Sequence, residues 1–334
     1  MAVIKSYIRI AIALCLFACS HDQVSPIHDR TVHLAGYLGT PDLNTVASYW
    51  KDGAYTNLTH DTSANDNIAS QVTSLYIDGL SVLIGGRRLI LGSRSQTLLW
   101  KDGNETVIGE GLGDPLIASR DNNLVGVWVE PDPPWKWMLH KNGSSQPIID
   151  TALNIGPSSL ALLGDDVYIG GCSIGIDHKQ HAQYWKDGQL IFRESKESNA
   201  MSISIHRNDI YLAGYLWGYG DPTGIACYWK NGQRVNLTDG KVHAIARSIF
   251  VTDEHVYVSG VIDQQAVYWK DGEATVLTNG STLSMANCIF VQEGDVHVGG
   301  YEESHPAYWK NDVKQNIENQ DQLGKIKFIV VGSN

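Results

Sequence analysis

Two histidines three residues apart, His178 and His181, stand beside Asp177 in the segment CSIGIDHKQHA (172–182). A carboxylate with imidazoles could move protons or begin a metal site. A zinc site needs at least a third protein ligand at suitable spacing, and none follows, so surface histidines account for the pair more simply. The carboxylates Asp177, Asp221, Glu302 and Glu303 could be paired for acid–base work on a glycosidic bond, but the sequence does not set their separation. A second group is aromatic: Trp135 and Trp137 in EPDPPWKWM (130–138), and Tyr215, Trp217 and Tyr219 in GYLWGYGDPTGIA (214–226). Flat rings beside Asp177, His178, His181 and Asp221 suit a sugar ring or a protein hot spot, because ring faces give apolar contact while polar groups fix orientation. No Gly-x-Ser-x-Gly, phosphate-binding glycine loop or dinucleotide fingerprint is present, and GLGDP (111–115) reads as a turn; no cofactor and no metal is expected.

The elements that would position these residues are set by a repeat. Trp-Lys recurs at Trp50, Trp100, Trp185, Trp229, Trp269 and Trp309, mostly as YWK[DN]G, and His140-Lys141-Asn142-Gly143 fills the one wide gap. Seven copies spaced by 40 to 50 residues match the period of four-stranded propeller blades. The copy around Trp269 shows the content: SIFV (248–251), a polar turn, VYVSG (256–260), then AVYWK, Asp271-Gly272 and EATVLT. Asp-Gly or Asn-Gly between two β-rich runs is the strongest short hairpin signal, so each phrase is the turn between strands C and D of a blade. Innermost strands, labelled A, fall near Ser81, Leu116, Ser159, Ser202, Ser248, Cys288 and Phe328. The first repeat lacks an A strand and the chain ends in an unpaired KIKFIVV (325–331), which predicts an all-β, seven-bladed propeller whose C-terminal strand completes the N-terminal blade.

A residue repeated in six or seven copies is a packing solution, whereas an active site needs one constellation. The repeated Trp is therefore structural, and His33 and His297, which fall where other blades carry Tyr168, Tyr211 and Tyr257, are core or wall residues with a satisfied ring nitrogen. Function belongs where the copies differ. Strand order puts A–B and C–D turns on one face, all short and polar, and B–C and D–A connections on the other. There lie GYLGTPDLNTVA (36–47), a long D–A connection at 59–80, and the segments of blades 3 to 5 quoted above. In blade 3, Trp128 stands where strand B elsewhere ends in Gly and His140 replaces the repeat Trp, so Trp128 or Trp137 is expected to refill that space.

The N-terminus carries Lys5 and Arg9, then an apolar stretch too short to span a bilayer comfortably, then small residues, which reads as a signal peptide over 1–18. With Lys5 and Arg9 removed, the formal net charge moves from −11 to −13, which argues against nucleic acid or an anionic bilayer surface as partner. Cys172, Cys227 and Cys288 then remain, an odd number without Cys-x-x-Cys spacing, and read as buried free thiols.

LFAC (16–19) resembles the bacterial lipobox, which implies cleavage before Cys19 and its lipidation, with 19–30 as a tether and 31–334 as the propeller. The recurring YWK[DN]G followed by [VI]xLT resembles the propeller lipoproteins of bacterial envelopes, and more loosely the extracellular repeats with a hydrophobic-Trp-x-Asn-Gly hairpin. That resemblance implies an exported, monomeric propeller, held at the outer membrane by its lipid alone, with any ligand at the channel mouth on the long-loop face. The expected function is non-catalytic recognition of a glycan or an envelope protein over blades 3 to 5. The alternatives are a polysaccharide hydrolase or lyase on the same face, and a structural scaffold.

Overall fold

Each repeated Asp/Asn-Gly pair folds as its turn chemistry requires. Asp52, Asp102, Asn142, Asp187, Asn231, Asp271 and Asn311 all lie at φ between 46° and 51°, and the next residue, glycine except for Asp312, also has positive φ. Two successive positive-φ residues make the type I′ turn, whose twist matches that of the strands it joins. The side chain does a second job. Asp52, Asp102, Asp187, Asn231, Asp271 and Asn311 each accept the amide of a residue opening strand B, as Asp52 Oδ1 does from Val32 at 2.7 Å. The turn's own amide donates back, as Asp271 does to the Val256 carbonyl at 2.9 Å. The repeat phrase therefore staples the outer hairpin of every such blade to the strand inside it.

The computed structural model describes residues 30–40, 44–59, 68–90, 95–130, 136–152, 154–218 and 221–333. The segment expected to be a signal peptide, Cys19, Trp135 and Tyr219 lie outside them. Seven antiparallel blades of four strands form a ring. Blade 1 joins Arg30–Gly39, Thr45–Lys51 and Ala54–Asn57 to the C-terminal Gly324–Ser333, which pairs along strand B and closes the circle as expected. Asn104–Arg120 is one continuous strand serving as D of blade 2 and A of blade 3, so those blades share a hydrogen-bonded sheet.

The core lies between blades. One cluster unites Tyr168, Ala182 and Tyr184 of blade 4 with Ile203, Leu212 and Trp229 of blade 5, and equivalent clusters recur around the ring. All six repeat tryptophans are no more than 1% exposed. Three of their indole N–H groups pin the preceding D–A connection: Trp50 donates to the Glu318 carbonyl, Trp100 to the Leu58 carbonyl and Trp229 to Glu194 Oε2, each at 2.9 Å, whereas Trp185 Nε1 is buried without a partner. His33 and His297 are buried and bonded to Tyr49 and Tyr308 through Nδ1, and Cys227 and Cys288 are buried free thiols, all as expected; Cys172 is free but only half-buried.

The structure corrects the sequence reading of blade 2. Its strand A is Ile68–Asp78, and Ser81 opens strand B (Ser81–Ile90), so the presumed long connection at 59–80 holds a strand. The cue lies in Asp78-Gly79: Gly79 at φ 61° turns A into B, another Asp-Gly signal that YWK[DN]G overshadowed.

Candidate functional site

Blade 5 departs from a plain loop at its B–C connection. The expected loop 214–226 is largely a β-ribbon: strand B runs Asp209–Gly218, strand C begins at Asp221, and Gly218 pairs with Asp221. A register shift between Leu216 and Gly218 leaves Trp217 unpaired on its own ribbon, and its amide turns instead to the Glu197 carbonyl at 2.9 Å. Bulges re-aim side chains, and here the indole is thrown outward. Trp217 is 44% exposed and is the one exposed Trp, Tyr or Phe among the described residues. Its ring lies 5.6 Å from that of half-buried Tyr215, whose hydroxyl is pushed up in pKa chiefly by burial and which lies within electrostatic reach of Arg247. For Asp221 the structure describes the backbone alone.

The blade 4 segment is a true loop, 175–179, between strands Asp166–Ile174 and Gln180–Lys186. His181 is buried, with Nδ1 3.0 Å from the Glu194 carbonyl and Nε2 3.1 Å from Asp177 Oδ2. Both partners are acceptors, so the ring is the donor in this brace. The Lys179 amide and His181 hold the Asp177 carboxyl below its usual range. This pair ties the B–C loop to the D–A connection and is a brace, not a free acid–base couple. Glu194 extends it, accepting Trp229 Nε1 at 2.9 Å and Arg234 at 3.0 Å. His178 is exposed at φ 61°, and Ile176, which the sequence reading passed over, is 84% exposed at the loop tip.

Trp137 is not part of this platform. It is half-buried in strand C of blade 3 (Trp137–Lys141) and packs onto the cluster between blades 3 and 4 and over Gly113. The space vacated at His140 is filled by Trp128, whose ring stacks on His140 with centroids 3.7 Å apart and planes at 9°. Of the two expected candidates, Trp128 is therefore the one that refills it.

The sequence reading set any ligand at the channel mouth but missed the residues that line the channel. In six blades strand A carries a β-bulge, and the unpaired residue is Lys327, Thr73, Ser158, Met201, Arg247 or Asn287. In blade 3 the break is wider, 113–115, and includes Asp114. All seven line one cavity of about 410 Å³. The bulges explain the strand-B glycines opposite: a Cβ on Gly214 would stand 1.9 Å from the Asn199 carbonyl oxygen, and one on Gly300 would stand 1.9 Å from that of Met285. Lys325 joins this lining, its Nζ 5.4 Å from the Tyr37 ring centroid and 5.5 Å from that of Tyr301, while Arg87 pairs with Asp114 at 2.9 Å. Three bulge positions differing in charge from small polar Thr, Ser and Asn were the available signal, legible once the A strands are superposed.

Of the carboxylates weighed for hydrolysis, Asp177 is engaged by His181 and Glu302 by Lys314 at 2.7 Å. Among the described residues no group of three or more His, Cys, Asp or Glu could hold a metal ion. No family model and no curated protein matches the chain. Solved structures resemble it distantly. The acylaminoacyl peptidase of Pyrococcus horikoshii is 14% identical over 74% of this chain with a TM-score of 0.49, and the chain spans 46% of that protein's length. A nidogen/laminin complex is 10% identical over 90% of this chain and 98% of the other, TM-score 0.46. A mutant of the lectin of Aleuria aurantia, in complex with Fucalpha1-6GlcNAc, is 9% identical over 72% of this chain and 89% of the other, TM-score 0.41.

Proposed function

We propose that the protein is a non-catalytic recognition module of the bacterial cell envelope, lipid-anchored through Cys19 at the outer membrane, that binds a glycan on the face bearing the B–C and D–A connections. The observation that carries this reading is Trp217: an indole held 44% exposed on the B–C ribbon of blade 5, beside Tyr215, in a chain whose other described Trp, Tyr and Phe rings are at least partly buried. A solvent-facing ring beside hydroxyl and amide groups is the chemistry that stacks on a pyranose and orients it by hydrogen bonds. Asn199, next to Tyr215 in the blade 5 ladder, and Gln180, 3.5 Å from Asn199, supply such amides. The lipid anchor is supported by LFAC and the short apolar stretch before it.

An envelope protein is the second partner class, favoured by the exposed Ile176, Val242, Leu283 and Leu323 on the same face. Affinity capture tests both. The immobilised protein is offered polysaccharides and, separately, envelope extract, and retention is compared with a Trp217→Ala variant. Polysaccharide retention lost in the variant is the expected result. Equal retention by both proteins, or none by either, overturns the platform, and selective capture of one protein component replaces the glycan reading with the second.

A further inference from the structure

We propose that the central cavity is a binding site for a carboxylate-bearing sugar, of the hexuronate class, entering from the Trp217 face; the proposal deepens the glycan reading by naming the ligand's charge.

The chain is acidic, with a formal net charge of −11, yet its innermost strands gather the opposite sign. Lys325, Lys327 and Arg247 all line the cavity, and among the described residues none of them is ion-paired; Asp114, the one acid there, is already held by Arg87. Lys327 Nζ donates to the Val72 carbonyl at 3.0 Å, a dipole and not a counter-charge, and Lys325 rests against the Tyr37 and Tyr301 rings. Burial, with crowding by Lys325, Arg247 and Arg87, pushes Lys327 down to about 8, and Asp114 is the one facing group that opposes this. Burial likewise lowers Arg247. Like charges gathered in a half-closed space whose one acid is already paired elsewhere destabilise a fold, and a bound anion removes that cost.

The neutral lining adds a second requirement. Thr73 and Asn287 are 4% and 8% exposed, and Thr73 Oγ1 and Asn287 Oδ1 have no hydrogen-bond partner. The Asn287 amide nitrogen is already spent on the Ile326 carbonyl at 2.8 Å, so its free oxygen accepts and calls for a donor on the ligand. A fully ionised oxyanion such as sulfate offers no such donor. A sugar acid offers both halves: a carboxylate for Arg247 and Lys327, and hydroxyls for Asn287 and Thr73. A volume of about 410 Å³ lies in the range of small-ligand sites. Tyr215, between Trp217 and Arg247, joins the platform to the cavity.

The test is thermal unfolding and titration calorimetry of the protein with sodium D-glucuronate, sodium sulfate and glucose. Glucuronate is expected to raise the unfolding midpoint and bind at least tenfold more tightly than either sulfate or glucose. Lys327→Met is expected to unfold no earlier than the native protein without ligand, since it removes a repelled charge, while losing the glucuronate response at least tenfold; Arg247→Gln repeats the loss. Because the first variant keeps its stability, loss of binding there is not loss of fold. Equal responses to glucuronate and glucose, or an unchanged response in both variants, overturn the proposal, and sulfate matching glucuronate overturns the sugar-acid assignment. Polysaccharide capture without a glucuronate response would overturn the cavity and leave the platform, and a glucuronate response without polysaccharide capture would do the reverse, so the two failures are read separately.

Discussion

At the residue scale, two buried histidines in neighbouring blades make the ring closure sensitive to acid. Burial, helped by Lys310 and Arg30 against Asp295, lowers the His297 pKa from 6.5 to about 4, and burial with Lys51 against Asp52 lowers that of His33. A histidine whose folded pKa is depressed leaves the unfolded chain binding more protons between pH 6.5 and pH 4. Stability is therefore full above the unfolded value and falls as pH drops through this window, by on the order of 3 kcal/mol for His297 alone. Other blades place Tyr168, Tyr211 or Tyr257 at this position, each under a lysine ammonium 5.4 to 5.6 Å from the ring centroid. His297→Tyr is accordingly expected to fold and to shrink the fall in unfolding midpoint between pH 7 and pH 4. An undiminished fall in that titration would show that the histidine carries none of it.

At the scale of the element, blade 3 shows that its deviations are one change. Elsewhere a glycine on strand B leaves room for the Trp ring and for the strand-A carbonyl at the bulge; Gly86 has the Trp100 ring and the Gln71 carbonyl oxygen 2.6 and 2.4 Å from where a Cβ would stand. Blade 3 puts Trp128 on strand B, His140 on strand C and a three-residue break in strand A opposite it. Trp128→Gly alone removes the stacked ring and leaves a void, and His140→Trp alone drives a second indole into the first. Each is expected to cost about 2–4 kcal/mol, while the double variant, which restores the consensus pair, recovers much of the loss. A thermodynamic cycle read by chemical denaturation should give a coupling of about 1–3 kcal/mol; additive losses would separate the two positions.

Across the whole molecule, stability depends on closure. The C-terminal strand Gly324–Ser333 pairs with Arg30–Gly39, contributes Ile326 and Ile329 to the cluster between blades 7 and 1, and supplies two of the three unpaired cations of the cavity. Deleting 324–334 should therefore lower the unfolding midpoint by at least about 10 °C, since several kcal/mol of pairing and burial go with it. It should also abolish the glucuronate response. A truncated chain that melts like the intact one would show that six complete blades stand without the seventh.

The number of blades, the hairpin turns, the closing strand and the structural role of the repeated Trp were all legible in the sequence, because each is written in local chemistry that recurs from blade to blade: Asp/Asn-Gly for the turn in six of seven copies, alternation for the strands, and a period of 40 to 50 residues for the blade. Trp217 was legible as well, as a large ring flanked by glycine where copies differ. What lay beyond the sequence was decided by register. His178 and His181 read as a pair, yet the fold turns His181 inward to Glu194 and leaves His178 outside. Trp137 read as a platform and packs as core. Lys325 and Lys327 read as ordinary charges of an end strand, and a one-residue bulge turns Lys327 toward Arg247, 80 residues away in sequence, across the channel. A repeat specifies its own shape locally, but which side chains meet at the axis depends on seven strands converging, and that meeting exists only in the closed ring.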